Sequence, residues 1–186
     1  MMTSEVIQTK DLEQMGLSKK EYYQFLKENR YEKVSNGIYI HPEAFEDRNY
    51  ILSLRYPQAV FSHEEALYYY GWIERVPIRP TLTMYTGFGV GRLNKEGVKV
   101  FTVKKEFLNE GKVMGKTFFG NPIPIYDRDR TICDVIRSKN WFEIQTYQYA
   151  ILSYVKDDNK DLYQLMKYAS MFHVKEKVRQ TLELLL

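Results

Sequence analysis

The chain has 186 residues, 44% hydrophobic and 15% aromatic, with 27 Lys/Arg against 24 Asp/Glu and a formal net charge of +3. That length suits one large domain or two small ones, and the charge is too mild to mark a nucleic-acid binder by composition alone. A lone cysteine, Cys133, excludes an internal disulfide, no apolar run approaches the ~20 residues that span a bilayer, and no secretory pattern opens the sequence, so the expected location is the cytoplasm with no membrane partner.

Thr9 to Met15 reads as a short helix closed by Gly16. Ser18 then predicts an N-cap, and Glu21 completes a capping box for a helix over 18–29. Its helical spacing sets Tyr22, Phe25, Leu26 and Asn29 on one side and Lys20, Tyr23, Gln24 and Lys27 on the other, with Glu21 and Glu28 off that second face. Tyr31–Val34 and Gly37–Ile40 alternate as strands around Ser35-Asn36-Gly37, a turn signal because Asn and Gly tolerate positive φ. Glu46 to Tyr56 reads as a helix, and Ala59–Phe61 as a short strand. Ser62 is expected to cap the next helix, with Glu65 completing a second box and Gly71 ending it.

From Arg79 to Tyr126 the period changes to two, with strands expected at Thr81–Tyr85, Val98–Val103 and Pro122–Tyr126. From Arg128 the pattern is helical, with four apolar stripes: Ile132/Val135/Ile136, Ile144/Tyr147/Ile151/Tyr154/Val155, Leu162/Leu165/Met166/Ala169 and Val174/Val178/Leu182/Leu185. The fold class expected is α+β: a winged helix-turn-helix over 1–56, then a mixed α/β region over 57–126 and a helical subdomain over 127–186. A winged helix ordinarily carries one further helix ahead of the segment at 9–15, so either Met1 is not the native start or the N-terminal unit is a trimmed version.

The helix and hairpin together point to duplex DNA. Ser18, Lys19, Lys20, Tyr23, Gln24 and Lys27 on the helix, with Lys33, Ser35 and Asn36 on the wing, are the candidate base and phosphate contacts. The bland alternative is a solvated helix face beside an ordinary hairpin. Basic residues concentrate elsewhere: residues 72–130 hold eleven Lys/Arg against six Asp/Glu. Arg75, Arg79, Arg92, Lys95, Lys99, Lys104 and Lys105, with Lys112 and Lys116, are candidates for a second, phosphate-contacting or antitoxin surface if they gather on one face; scattered charges more often form a solvated surface.

Other patterns favour structural readings. Ser62 and His63 are adjacent, and neighbours on a helix diverge, so a nucleophile pair is not expected; HExxH fails because position 67 is Leu. Gly87-Phe88-Gly89-Val90-Gly91-Arg92 lacks the Lys-Ser/Thr of a phosphate loop and reads as a connection between strands. Among Tyr68-Tyr69-Tyr70 at least one ring is expected in the core. Asp127, Asp129 and Asp134 could form a metal set, the basis of a rival reading as a metal-dependent nucleic-acid-processing enzyme. Arg128 and Arg130 interleave with them, however. Asp127 as an N-cap and Arg130–Asp134 as an i,i+4 pair explain the run better, with Cys133 buried and no cofactor or metal expected.

The order of these features carries a resemblance: the Gly37-Ile38-Tyr39 return strand, the run from Ala59 to Leu67 (AVFSHEEAL), and Tyr126-Asp127-Arg128-Asp129-Arg130-Thr131-Ile132-Cys133-Asp134 before a helical tail. Together they resemble the AbiEi family of antitoxins from bacterial type IV toxin–antitoxin (abortive-infection) systems, from about Val6 onward. The resemblance implies a non-enzymatic, DNA-binding autorepressor that reads inverted repeats in its operator. It also implies a functional partner, a nucleotidyltransferase-like toxin, counteracted without a stable complex. A third possibility is a toxin-binding module without DNA binding.

Overall fold

The computed structural model describes residues 5–183. The fold is α+β, with two sheets and helices, and among the described residues no helix is long and apolar enough to cross a membrane. The chain divides into two compact units, Met1–Pro57 and Gln58–Leu186.

The first unit holds a three-stranded sheet of β1 (Val6–Gln8), β2 (Glu32–Ser35) and β3 (Ile38–Ile40) in the order β1-β3-β2, both pairings antiparallel. The sequence pattern did not anticipate β1, because three residues are too few to establish a period. A single 3-10 turn at Thr9–Leu12 stands where a longer helix was expected. Asp11 Oδ2 accepts from the Gln8 N–H at 2.8 Å, tightening the segment from its first residue. Helix α1 (Lys19–Glu28) follows, and α2 (Arg48–Arg55) starts from Asp47, whose side chain accepts the Tyr50 N–H. Ile7, Tyr22 and Leu26 form the core, with Leu12, Phe25, Tyr31 and Tyr39 packed around them.

The β2–β3 turn is left-handed at one of its two central residues only. Gly37 takes positive φ (+69°) but Asn36 does not, and the register shifts between Lys33 and Ser35. Such an irregularity supplies the extra twist that joins an ordinary turn to a hairpin.

The second unit is built on a five-stranded mixed sheet. Its strands are β4 (Val60–Phe61), β5 (Thr81–Tyr85), β6 (Lys99–Val103), β7 (Lys112–Lys116) and β8 (Pro122–Tyr126), ordered β6-β5-β4-β8-β7. Strand β4 is parallel to β8 and antiparallel to β5, while β5 and β6 are parallel. Two short helices belong to the sheet region, α3 (Glu64–Tyr69) and α4 (Gly91–Lys95). The second corrects the reading of 87–97 as a plain connection. Helices α5 (Arg128–Arg137), α6 (Ile144–Lys156), α7 (Leu162–Met171) and α8 (Lys175–Glu183) follow. Ile132, Val135, Tyr147, Ile151, Tyr154, Leu165, Val178 and Leu182 bury their stripes in one core; Leu185 lies outside the described residues. Tyr70 is the ring of the tyrosine triplet that turns inward, donating to the Tyr126 carbonyl at 2.8 Å, while Tyr68 and Tyr69 stay exposed.

Helix α5 anchors the unit. Asp127 caps it by accepting the Arg130 N–H at 2.7 Å. The Arg130 side chain is fully buried between the rings of Tyr126 and Phe172, at 4.1 and 4.2 Å. Its Nε donates to Asp134 at 3.0 Å, and its Nη1 donates to the carbonyls of Phe107 and Glu110. Gly111 makes this approach possible. It has φ +75°, and a Cβ there would lie 2.7 Å from Arg130 Cβ and 2.9 Å from the Tyr168 hydroxyl. Gly111→Ala is therefore expected to lower the second unit's stability by about 1–3 kcal/mol, read from thermal melts. An unchanged melting temperature would mean that this packing gives way freely.

Candidate nucleic-acid interface

The capping box ahead of α1 is formed in both directions: Glu21 N–H donates to Ser18 Oγ at 3.3 Å and Ser18 N–H to Glu21 Oε2 at 2.8 Å. These bonds hold the Glu21 carboxyl below its ordinary range. The helix splits its faces as its spacing dictates. Tyr22 and Leu26 are buried, and burial pushes the Tyr22 phenol up to about 12. Lys20, Tyr23, Gln24 and Lys27 are exposed, as are Ser18 and Lys19.

Two of these side chains are less independent than the spacing suggested. Gln24 Nε2 donates to Glu28 Oε1 at 2.8 Å, so Glu28 borders the face after all. One helical turn separates the two residues, which brings an amide and a carboxylate within reach. Tyr23 is 45% exposed, with its ring edge-on to Tyr22. On the hairpin Lys33 and Asn36 are exposed and Ser35 is half-buried. Sequence reasoning passed over Arg30, an exposed cation with φ +57° just after α1. Only its position, directly after a helix and before a strand, hinted at a left-handed stop.

Strand order separates the basic residues of the second unit. Lys99 and Lys104 flank opposite ends of β6, about five residues at roughly 3.3 Å each. Arg79 Nε donates to the Gly97 carbonyl, and Arg92 pairs with Glu96 at 3.1 Å, both near the start of β6. Lys99 is half-buried, 3.8 Å from Glu64. Arg75, Lys95, Lys104 and Lys105 are exposed. Lys112 and Lys116 lie on β7, the opposite edge of the sheet from β6. Four strand spacings of about 4.8 Å separate those edges, so Lys112 and Lys116 lie apart from the cations beside β6.

The carboxylates of 127–134 are each held by protein partners. Asp127 Oδ2 accepts from the Tyr168 hydroxyl at 2.7 Å. Asp129 Oδ1 accepts from the Tyr154 hydroxyl and the Asp161 N–H. Burial raises both carboxyls despite these bonds. Among the described residues no group of His, Cys, Asp or Glu side chains converges as metal ligands would. Cys133 is fully buried, which pushes its thiol up to about 12.

The expected cap at Ser62 is corrected. His63 occupies the cap position of α3 with φ +52° and ψ −123°, and its own side chain does not cap the helix; Thr81 Oγ1 accepts the Glu65 N–H instead, at 2.9 Å. Ser62 Oγ accepts from the Thr83 hydroxyl at 2.8 Å and lies 2.9 Å from His63 Nδ1. The two neighbours meet because His63 stands outside the helix in a left-handed backbone, so helical divergence does not apply. His63 is fully buried and stacked on Phe101 at 3.4 Å, and burial pushes its imidazole down to about 3. Its Nε2 lies 3.3 Å from Ser138 Oγ.

No protein-family model matches this chain, and no curated protein matches it. In fold it is similar to the RV2827C protein of Mycobacterium tuberculosis, known from a crystal structure. The TM-score is 0.65 at 12% identity, over 96% of this chain and 71% of that one. At that identity the likeness is one of fold alone.

Proposed function

We propose that the first unit is a winged helix-turn-helix that binds duplex DNA, and that the chain is an autorepressing antitoxin of the AbiEi kind. The observation that carries this reading is the exposed Lys20/Tyr23/Gln24/Lys27 side of a capped helix, preceded by a short helical turn and followed by a hairpin in a sheet ordered β1-β3-β2. A helix of this kind enters the major groove while the hairpin lies on the backbone. Lys19, Lys33 and Arg30 add phosphate contacts, and the resemblance described above supplies the operator with inverted repeats and the nucleotidyltransferase-like toxin as partner.

The test is a gel-shift titration on DNA from upstream of the gene. Lys20→Ala with Lys27→Ala is expected to abolish operator binding at moderate salt while sparing toxin neutralisation. Where residual binding is measurable, the salt slope should fall by about two units, roughly 0.9 per lost phosphate contact. Unchanged operator affinity would remove α1 from the interface. A second reading, a protein-binding face, is favoured by the Gln24–Glu28 bond and by nine acidic against eight basic residues over 1–56. Co-purification with the toxin in the absence of DNA binding would select it.

A further inference from the structure

A cleft of about 490 Å³ opens in the second unit between the end of α5 and the outer side of α8. Its size falls within the roughly 300–1,000 Å³ usual for small-molecule sites. Arg137, Lys139 and Lys177 line it, and among the described residues no carboxylate does. Arg137 is partly compensated, with Nη2 3.0 Å from Asp134 Oδ1 outside hydrogen-bond geometry. That single carboxylate also serves Arg130, so the pair of guanidiniums keeps a positive excess. The carboxyl end of α5 contributes about half a negative charge, which three whole cations outweigh.

The buried His63 reaches the cleft lining through Ser138. Thr83 donates to Ser62 Oγ, which lies 2.9 Å from His63 Nδ1. The other ring nitrogen, Nε2, lies 3.3 Å from Ser138 Oγ. Ser138 is a lining residue, and its hydroxyl can donate into the cleft. The backbone at His63 takes a conformation that favours glycine; side chains retained under such strain gather at functional sites. Beside this donor and the cations stands Trp141, 66% exposed even with Lys99 5.6 Å over its ring. An indole open to solvent at the edge of a cationic cleft suits a planar base.

We propose that this cleft binds a nucleoside polyphosphate, with the phosphates among Arg137, Ser138, Lys139 and Lys177 and the base against Trp141. The site is separate from the α1 face, so the two readings fail independently.

Isothermal titration of the full chain tests it, with ATP, GTP, CTP and UTP as ligands and pyrophosphate and adenosine as separate arms. At least one triphosphate is expected to saturate, binding about tenfold or more tighter than pyrophosphate. Trp141→Ala is expected to erase that difference, and Lys139→Ala with Lys177→Ala to weaken the triphosphate about tenfold or more. All three side chains are exposed, so unchanged melting temperatures serve as the check on folding. No saturable heat at millimolar triphosphate, affinity indifferent to these substitutions, or pyrophosphate binding as tightly as the triphosphates would each overturn the proposal.

Discussion

Asp134→Ala is expected to lower the stability of the second unit by about 3–5 kcal/mol, the cost of stranding one partner of a buried ion pair. Arg130 and Asp134 are both fully buried and 3.0 Å apart. Removing the carboxylate leaves a guanidinium that cannot shed its proton and cannot reach water. At this size the melting transition should fall by roughly 10 °C or more. The pair itself need not be strongly stabilising, because taking two charges out of water offsets most of their attraction. Arg130→Met with Asp134→Leu is therefore expected to be more stable than Asp134→Ala alone. Recovery will be incomplete, since the Phe107 and Glu110 carbonyls lose their donor. Urea unfolding of the three proteins measures the order, and a double variant weaker than the single one would show the pair to be cooperative beyond its charge balance.

The second large effect is a pH dependence traced to His63. Its imidazole titrates near 6.5 when unfolded and near 3 when buried in the fold. Between those values the unfolded chain binds the extra proton, so stability is intact above about pH 6.5 and is lost as the pH falls. The slope is at most about 1.4 kcal/mol per pH unit. Asp127 and Asp129, raised by burial, act in the opposite direction. They gain stability as the pH falls through their folded values toward 3.8. The comparison that isolates the histidine is the wild type against His63→Gln, which keeps an uncharged hydrogen-bonding side chain without a titration. The two stability curves should converge as the pH drops from 6.5; parallel curves would mean that His63 takes up no proton on unfolding.

Much of the architecture was legible where a local rule and the tertiary context agree. The capping box at Ser18 and the cap at Asp127 announce α1 and α5, and both helices begin where those residues predict. The stripes of the C-terminal helices likewise become the largest core. Misses occurred where the local signal was short or contradicted. Strand β7 reads Lys112-Val113-Met114-Gly115-Lys116, an edge strand with exposed Val113 and Met114, so no alternation marks it. Gly115 sits there because Tyr69 approaches within 2.8 Å of where a Cβ would be, a contact from a distant helix. Helix α4 is one turn inside a glycine-rich run, too short for a period to emerge.

The candidate sites divide in the same way. The outward side of α1 follows from spacing alone, but the Gln24–Glu28 bond depends on side-chain rotamers. The Ser62–His63–Ser138 chain was unreadable because it depends on a left-handed backbone at one residue and on a hydroxyl 75 positions away. The cationic cleft unites Arg137 and Lys139 with Lys177, which sequence places in different helical segments and which only the packing of α5 with α8 brings together. Whether the basic residues over 72–130 meet depends on strand order, which puts Lys112 and Lys116 on the edge opposite β6.

The chain's two indoles, Trp72 and Trp141, both belong to the second unit, one enclosed and hydrogen-bonded to Asp157 and the other open to solvent. Intrinsic emission excited at the red edge is therefore blind to whatever happens in the first unit, whose chromophores are tyrosines. A single fluorescence melt would report the second unit as though it were the whole, and calorimetry or tyrosine near-ultraviolet dichroism is needed to see the first unit melt.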